Sequence, residues 1–180
     1  MDKPFQDGAA GSDRDFSSYL DTLDALIRSG SVRIGFRHWR DVLRGRRMPA
    51  RGDIDPVAIG RGLLRVSLLD VTRDPLDFRV RLVGEFVRAQ MGAQRGQRIV
   101  DTVGVEQGRD RILKRFGLCV GQALPIRGLY RYVPLTPPER LIWVEAVSCP
   151  LSDDGMTVHH IVNFGADAEF DVAAGTPEQP

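Results

Sequence analysis

The chain has 180 residues, 42% of them hydrophobic, and a net charge of +1. That size and apolar content suit one folded domain with short appendages and exclude wholesale disorder, while the balanced charge excludes a globally basic nucleic-acid binder. No apolar run reaches the roughly 20 residues of a membrane span, and the polar start lacks a signal-peptide core, so a cytoplasmic protein is expected.

Residues 1–14 read as a flexible leader. Phe16, Tyr19, Leu20, Leu23, Leu26 and Ile27 then recur at helical spacing, predicting a helix that ends by Gly30. A second helix sets Phe36, Trp39, Val42 and Leu43 on one face and Arg37, Arg40 and Arg44 on the others. These N-terminal helices, residues 15–45, pack on the domain or on each other, or else present Leu20, Leu23 and Ile27 to a partner, a second copy included. In Met48-Pro49-Ala50-Arg51-Gly52-Asp53-Ile54-Asp55-Pro56, Pro49 and Gly52 break the preceding helix. Asp55 is an N-cap and Pro56 occupies the first helical position, where its missing N–H matters least. The short helix they start runs to about Arg61 and stops at Gly62.

From Leu64 the period shifts toward two. Leu64 to Val71 and Phe78 to Val83 form a hairpin about Asp74-Pro75-Leu76-Asp77, closed by Gly84. Glu85 to Met91 is a two-turn helix punctuated by Gly92 and Gly96, and Thr102 to Gly108 is a short turn. Arg109 to Gly121 is a longer helix bearing Ile112, Leu113, Phe116 and Val120. Strands return at Pro125 to Val133 and, after a proline-bearing loop from Pro134 to Arg140, at Leu141 to Cys149. The turn Asp153-Asp154-Gly155 leads to a last strand, Thr157 to Phe164, and residues 165–180 read as an acidic, frayed tail. The order of two strands, short helices, a longer helix and three strands predicts an α+β domain over residues 46–164. Its expected form is a five-stranded antiparallel sheet with helices on one face, the N-terminal helices added, and a cavity between helices and sheet.

Several of these stretches carry a resemblance: Trp39; Met48-Pro49-x-Arg51-x-Asp53-Ile54-Asp55-Pro56; Leu68-Leu69-Asp70-Val71; Phe78-Arg79-x-Arg81-Leu82-Val83-Gly84; and Met91-Gly92 with Gly96. Over residues 36–164 the chain resembles a PAS domain and, more narrowly, a family of small bacterial single-domain PAS-like proteins. The resemblance implies a stand-alone sensory or regulatory module and names no ligand. No kinase, cyclase or DNA-binding segment accompanies it, so output is expected through a partner protein, with a homodimer through the N-terminal helices as one form. Flavin photoreceptor members carry a reactive cysteine in an Asn-Cys-Arg-Phe context, which Gly117-Leu118-Cys119-Val120 does not match. Haem-binding members need an axial histidine before the third strand, and Glu85 to Leu124 contains none. Both cofactors are disfavoured.

The candidate pocket residues are Phe86, Met91, Phe116, Tyr130, Tyr132 and Trp143, with Arg81 or Arg131, if inward, orienting an acidic ligand. The alternative is that these side chains simply fill the core. Alternation sets Tyr130 and Tyr132 on one face and Arg131 on the other. Ser148, Cys149, His160 and Glu145 share the last hairpin, but nothing fixes a triad or an oxyanion hole, and no enzyme is expected. Gly92-x-x-x-Gly96 lacks the context of a phosphate loop. His159-His160 should point one in and one out with no companion ligands, and Cys119 and Cys149 are isolated, so no metal site is expected. Finally, Arg33, Arg37, Arg40, Arg44, Arg46, Arg47 and Arg51 face Asp41 alone. This cluster, with Arg44, Arg46 and Arg47 as the candidate partner contacts, is either a nucleic-acid or nucleotide adaptor surface or a solvated face paired with carboxylates such as Asp53 and Asp55.

Overall fold

The computed structural model describes residues 13–102, 108–135 and 141–168. The expected leader to residue 12, most of the 102–108 turn, the loop at 136–140 and the tail from 169 lie outside them. The two amphipathic stretches form α1 (Asp13–Leu26) and α2 (Gly30–Asp41). Asp55 accepts the Val57 N–H at 2.8 Å, and Pro56 opens α3 (Pro56–Ile59) as the cap residues require. α3 is shorter than expected. It stops at Gly60, whose positive φ of 58° leaves the helical region, and the chain continues as a 3-10 helix, Gly60–Arg65. Leu64 therefore belongs to that turn and is half exposed, not in a strand.

The strands are β1 (Val66–Thr72), β2 (Asp77–Val83), β3 (Ile126–Tyr132), β4 (Ile142–Leu151) and β5 (His160–Ala168). Between β2 and β3 lie α4 (Glu85–Met91), a 3-10 turn (Ile99–Asp101) and α5 (Arg109–Gln122). The sheet is antiparallel, ordered β2-β1-β5-β4-β3, so the first and last strands of the domain meet at its centre. β5 runs four residues beyond the boundary expected for the tail: Gly165 and Ala166 pair with Ala146 and Glu145. The small residues read as fraying instead let this strand lie flat in the sheet, with Ala166 buried.

Alternation along each strand feeds two separate cores. On one face Leu69, Val80, Val144, Ala146 and Ile161 pack with Ile112, Phe116 and Cys119 of α5. On the other, Val66, Val147, Leu151, Val162 and Phe164 pack with α1 and α2. The N-terminal helices thus take the face opposite α4 and α5. Leu20, Leu23 and Ile27, expected as partner contacts, are no more than 5% exposed and belong to the chain's own core. An apolar helix stripe beside a bare apolar sheet face buries itself there first. α2 approaches closely: a Cβ at Gly35 would lie 2.2 Å from the Phe164 ring, and Trp39 Nε1 donates to the Pro150 carbonyl at 2.9 Å.

Candidate functional site

The sheet face opposite α1 and α2 does not close completely. Between it and α4 and α5 lies a cavity of about 60 Å³, open to the centres of water-sized molecules, which is room for about four waters at ~15 Å³ each. Its walls are mainly apolar, with Val80, Phe86, Met91, Ile99, Phe116 and Val144 among them.

One wall is cationic. α5 turns Ile112, Arg115, Phe116 and Cys119 toward the sheet, so an arginine sits in the middle of a buried helical stripe. Arg115 Nε donates to Ser148 Oγ at 2.9 Å and its Nη2 to Asn163 Oδ1 at 3.3 Å; Ser148 Oγ in turn donates to Asn163 Oδ1 at 2.9 Å. Ser148 and Asn163 are register partners on β4 and β5. Tyr130 stands 5.2 Å from the guanidinium carbon and also hydrogen-bonds it. Gly128 makes room, since a Cβ there would meet Arg115 Cδ at 3.0 Å and Nη1 at 3.1 Å. Among the described residues no carboxylate pairs with this guanidinium, although it is only 5% exposed. Burial consequently pulls Arg115 below the ordinary arginine range and pushes Tyr130 above the ordinary phenol range.

At the rim, Arg65 stacks 3.6 Å from the Phe86 ring centre and forms an ion pair with Asp167 at 3.3 Å. Both rim residues are part-exposed and both line the cavity.

Of the pocket residues expected from sequence, Phe86, Met91, Phe116 and Tyr130 line this space, while the Tyr132 side chain lies outside the described residues. Trp143 does not: it neighbours the inward Val144, so it projects from the other face, where Arg131 stacks on it at 4.9 Å. Arg81 is exposed and paired with Asp70 at 3.2 Å. Alternation on β2 and β3 therefore turns both nominated arginines outward, and the inward one is Arg115, which the sequence reading passed over. Its signal was present as a charge at a stripe position, Ile112-x-x-Arg115-Phe116-x-x-Cys119.

The remaining candidates are dispersed. Ser148 lies on the α5 face of the sheet, where it bonds Arg115, whereas Cys149 and Glu145 lie on the face of α1 and α2. Glu145, 1% exposed, accepts the Ser29 N–H at 2.6 Å and both oxygens take the Arg28 N–H at 3.1 Å, with Arg127 Nε at 2.7 Å. His160 bridges Asp70 (2.8 Å) and Asp153 (3.3 Å) at the sheet's far end, and His159 precedes the strand, accepting the Asp153 N–H. Among the described residues, no three His, Cys, Asp or Glu side chains come close enough to hold a metal ion, and no helix is long and apolar enough to cross a membrane. Among the described residues, neither a histidine nor a cysteine lines the cavity. Cys119 instead donates its thiol to the Ser148 carbonyl at 3.4 Å, and burial pushes that thiol far above its ordinary pKa.

The basic cluster is tied down as an intramolecular network. Arg37 and Arg33 pair with Asp24, Arg40 with Asp21 and Arg46 with Asp53; Arg47 covers the Phe16 ring at 4.6 Å. Hydrogen bonds from Arg37 and Arg46 hold Asp24 and Asp53 below the usual carboxylate range. Asp55 caps α3 and pairs with no arginine here, while Arg44 and Arg51 remain exposed.

A family model described as a PAS domain matches residues 27–115, from the start of the α1–α2 link to the middle of α5. Similar solved structures include a PAS domain from Colwellia psychrerythraea (11% identity over 57% of this chain and 86% of that one, TM-score 0.42). Others are a sensory box sensor histidine kinase from Vibrio cholerae (15%, 59% and 81%, 0.43) and a LOV protein from Rhodobacter sphaeroides (16%, 60% and 61%, 0.40). No curated protein matches. The family match over residues 27–115, with the five-stranded antiparallel sheet and its β2-β1-β5-β4-β3 order, identifies a PAS domain in this chain, a family whose members are sensory modules.

Proposed function

We propose that the protein is a sensory module that binds a small molecule in the cavity between α5 and the sheet and passes the change to a protein partner. The observation that carries this reading is the cavity itself, mainly apolar and holding one buried guanidinium with no carboxylate partner among the described residues. A ligand acts as a signal only if it binds two arrangements of the protein unequally. The shared strands supply such a link: Ser148 and Asn163 meet Arg115 on one face, while the adjacent Val147 and Phe164 pack under α1 and α2 on the other.

The proposed role is one of binding, supported by a mainly apolar lining set beside a fixed guanidinium. Output passes over the outer side of the N-terminal helices, where Leu26 and Ile34 stay more than half exposed. A second copy of the chain is one possible partner, and sedimentation equilibrium over a wide concentration range tests it: a monomer throughout assigns the output to a different protein. Gentle native mass spectrometry of the purified full chain tests the ligand. A small molecule released on unfolding is the expected result. A ligand-free mass, with no thermal shift across a metabolite panel, overturns the reading.

A further inference from the structure

The lining of the cavity says what class of molecule it takes. A buried guanidinium in a low-dielectric site is costly without a counter-charge, and among the described residues Arg115 has neutral partners: a serine hydroxyl, an asparagine carbonyl and a phenol. These three acceptors orient the fork without cancelling its charge. Gly128 lets the guanidinium lie against β3, so its position is fixed before any ligand arrives. The second cation of the lining, Arg65, is already neutralised by Asp167 and covers Phe86 at the rim. Among the described residues one positive charge of the lining therefore lacks a carboxylate partner, and the rest of the wall is mainly apolar, with Ser67, Thr102 and Asn163 as neutral polar groups.

We propose that the cavity binds a short-chain monocarboxylic acid, its carboxylate against the Arg115 guanidinium and its hydrocarbon end among Val80, Phe86, Met91 and Ile99. This rests on the ligand-binding reading above and names the chemistry of the same site. A single negative charge balances the site. A phosphate dianion or a dicarboxylate brings a second charge, and among the described residues the other cation of the lining, Arg65, is already paired with Asp167. A neutral amide of the same shape leaves the guanidinium uncompensated. Volume sets the length: a space of about 60 Å³ limits the acid to a few carbons. The carboxylate–guanidinium contact supplies the fork-shaped recognition that favours arginine over lysine at such sites.

The test is an NMR titration of the isotopically labelled full chain with propanoate, butanoate and 3-methylbutanoate, each beside its carboxamide. At least one acid should bind ten or more times tighter than its amide, with the largest shifts at Arg115, Ser148 and Asn163. Arg115→Met should abolish that preference. Should that variant fail to fold, the acid-to-amide ratio in the unaltered protein still decides the matter, with succinate and inorganic phosphate expected to bind at least tenfold more weakly than the best acid. Amides binding as well as acids, or phosphate binding best, overturn the carboxylate assignment and leave the cavity reading standing. No binding by any of these probes overturns the assignment too, and the cavity reading falls with it only if native mass spectrometry also finds no small molecule on the protein.

Discussion

On the side of α1 and α2 the sheet is sealed: Ile27, Val32, Phe36, Trp39, Val147 and Leu151 are fully buried, and a single Cβ at Gly35 would collide with Phe164. On the side of α4 and α5 the same strands enclose a space and put Asn163 and Arg115 on its wall, with Ser148 behind them holding Arg115. Both faces are built from alternating strand residues, so propensity does not separate them. What differs is the cover. α1 and α2 are long amphipathic helices laid flat on the sheet, whereas α4 spans seven residues and cedes much of its side to turns. A close-packed layer favours stability, and a layer with a hole and a buried charge forgoes some of it, as the proposed binding role requires.

Breaking the sealed face should have the largest effect. Trp39→Ala removes a fully buried indole and its hydrogen bond to Pro150, and should destabilise by about 3–5 kcal/mol in urea unfolding. A near-normal midpoint would mean that α2 is not packed as described. Next comes Glu145→Ala, which orphans the Arg28 and Ser29 amides and the Arg127 guanidinium, at a cost of about 3 kcal/mol. Hydrogen exchange at the Arg28 and Ser29 amides should then accelerate while the β1 amides stay protected.

A matched pair sharpens the contrast between faces. Val147→Leu, in the sealed layer, should cost about 1–3 kcal/mol by overpacking. Val83→Leu, on the cavity wall, should be neutral or stabilising by up to about 1 kcal/mol, because the added methylene enters empty space. Equal effects on thermal unfolding would erase the distinction.

The smallest effect is electrostatic. Asp154 accepts the N–H groups of Thr157 and Met156 and the Ser152 hydroxyl, which hold its carboxyl far below the usual range. With the folded value below the unfolded ~3.9, the unfolded chain binds the extra proton, so this contribution is complete above about pH 4 and is lost as the pH falls. Asp154→Ala should flatten the acid limb of the stability profile and leave the cavity unaffected.

Much of this was legible in the chain before folding. The Asp55-Pro56 cap, the alternating Phe78 to Val83 strand and the stripes of α1, α2 and α5 each express a period or a steric rule that acts within a few residues. The chain's own pattern even marks Arg115 as a charge out of place, flanked by Ile112 and Cys119 on the buried stripe. Spacing does not show that the two partners of this arginine stand 33 and 48 residues further on, brought opposite each other by the β4–β5 register. Nor does it show that Arg81 and Arg131 turn outward toward Asp70 and Trp143, or that the leading helices choose the far side of the sheet. Local sterics and periodicity determine which segments become helix or strand, because they act between near neighbours in sequence. Which side chains meet, which face is filled and where one charge is left without its opposite depend on strand register and layer packing, and only the folded chain decides those.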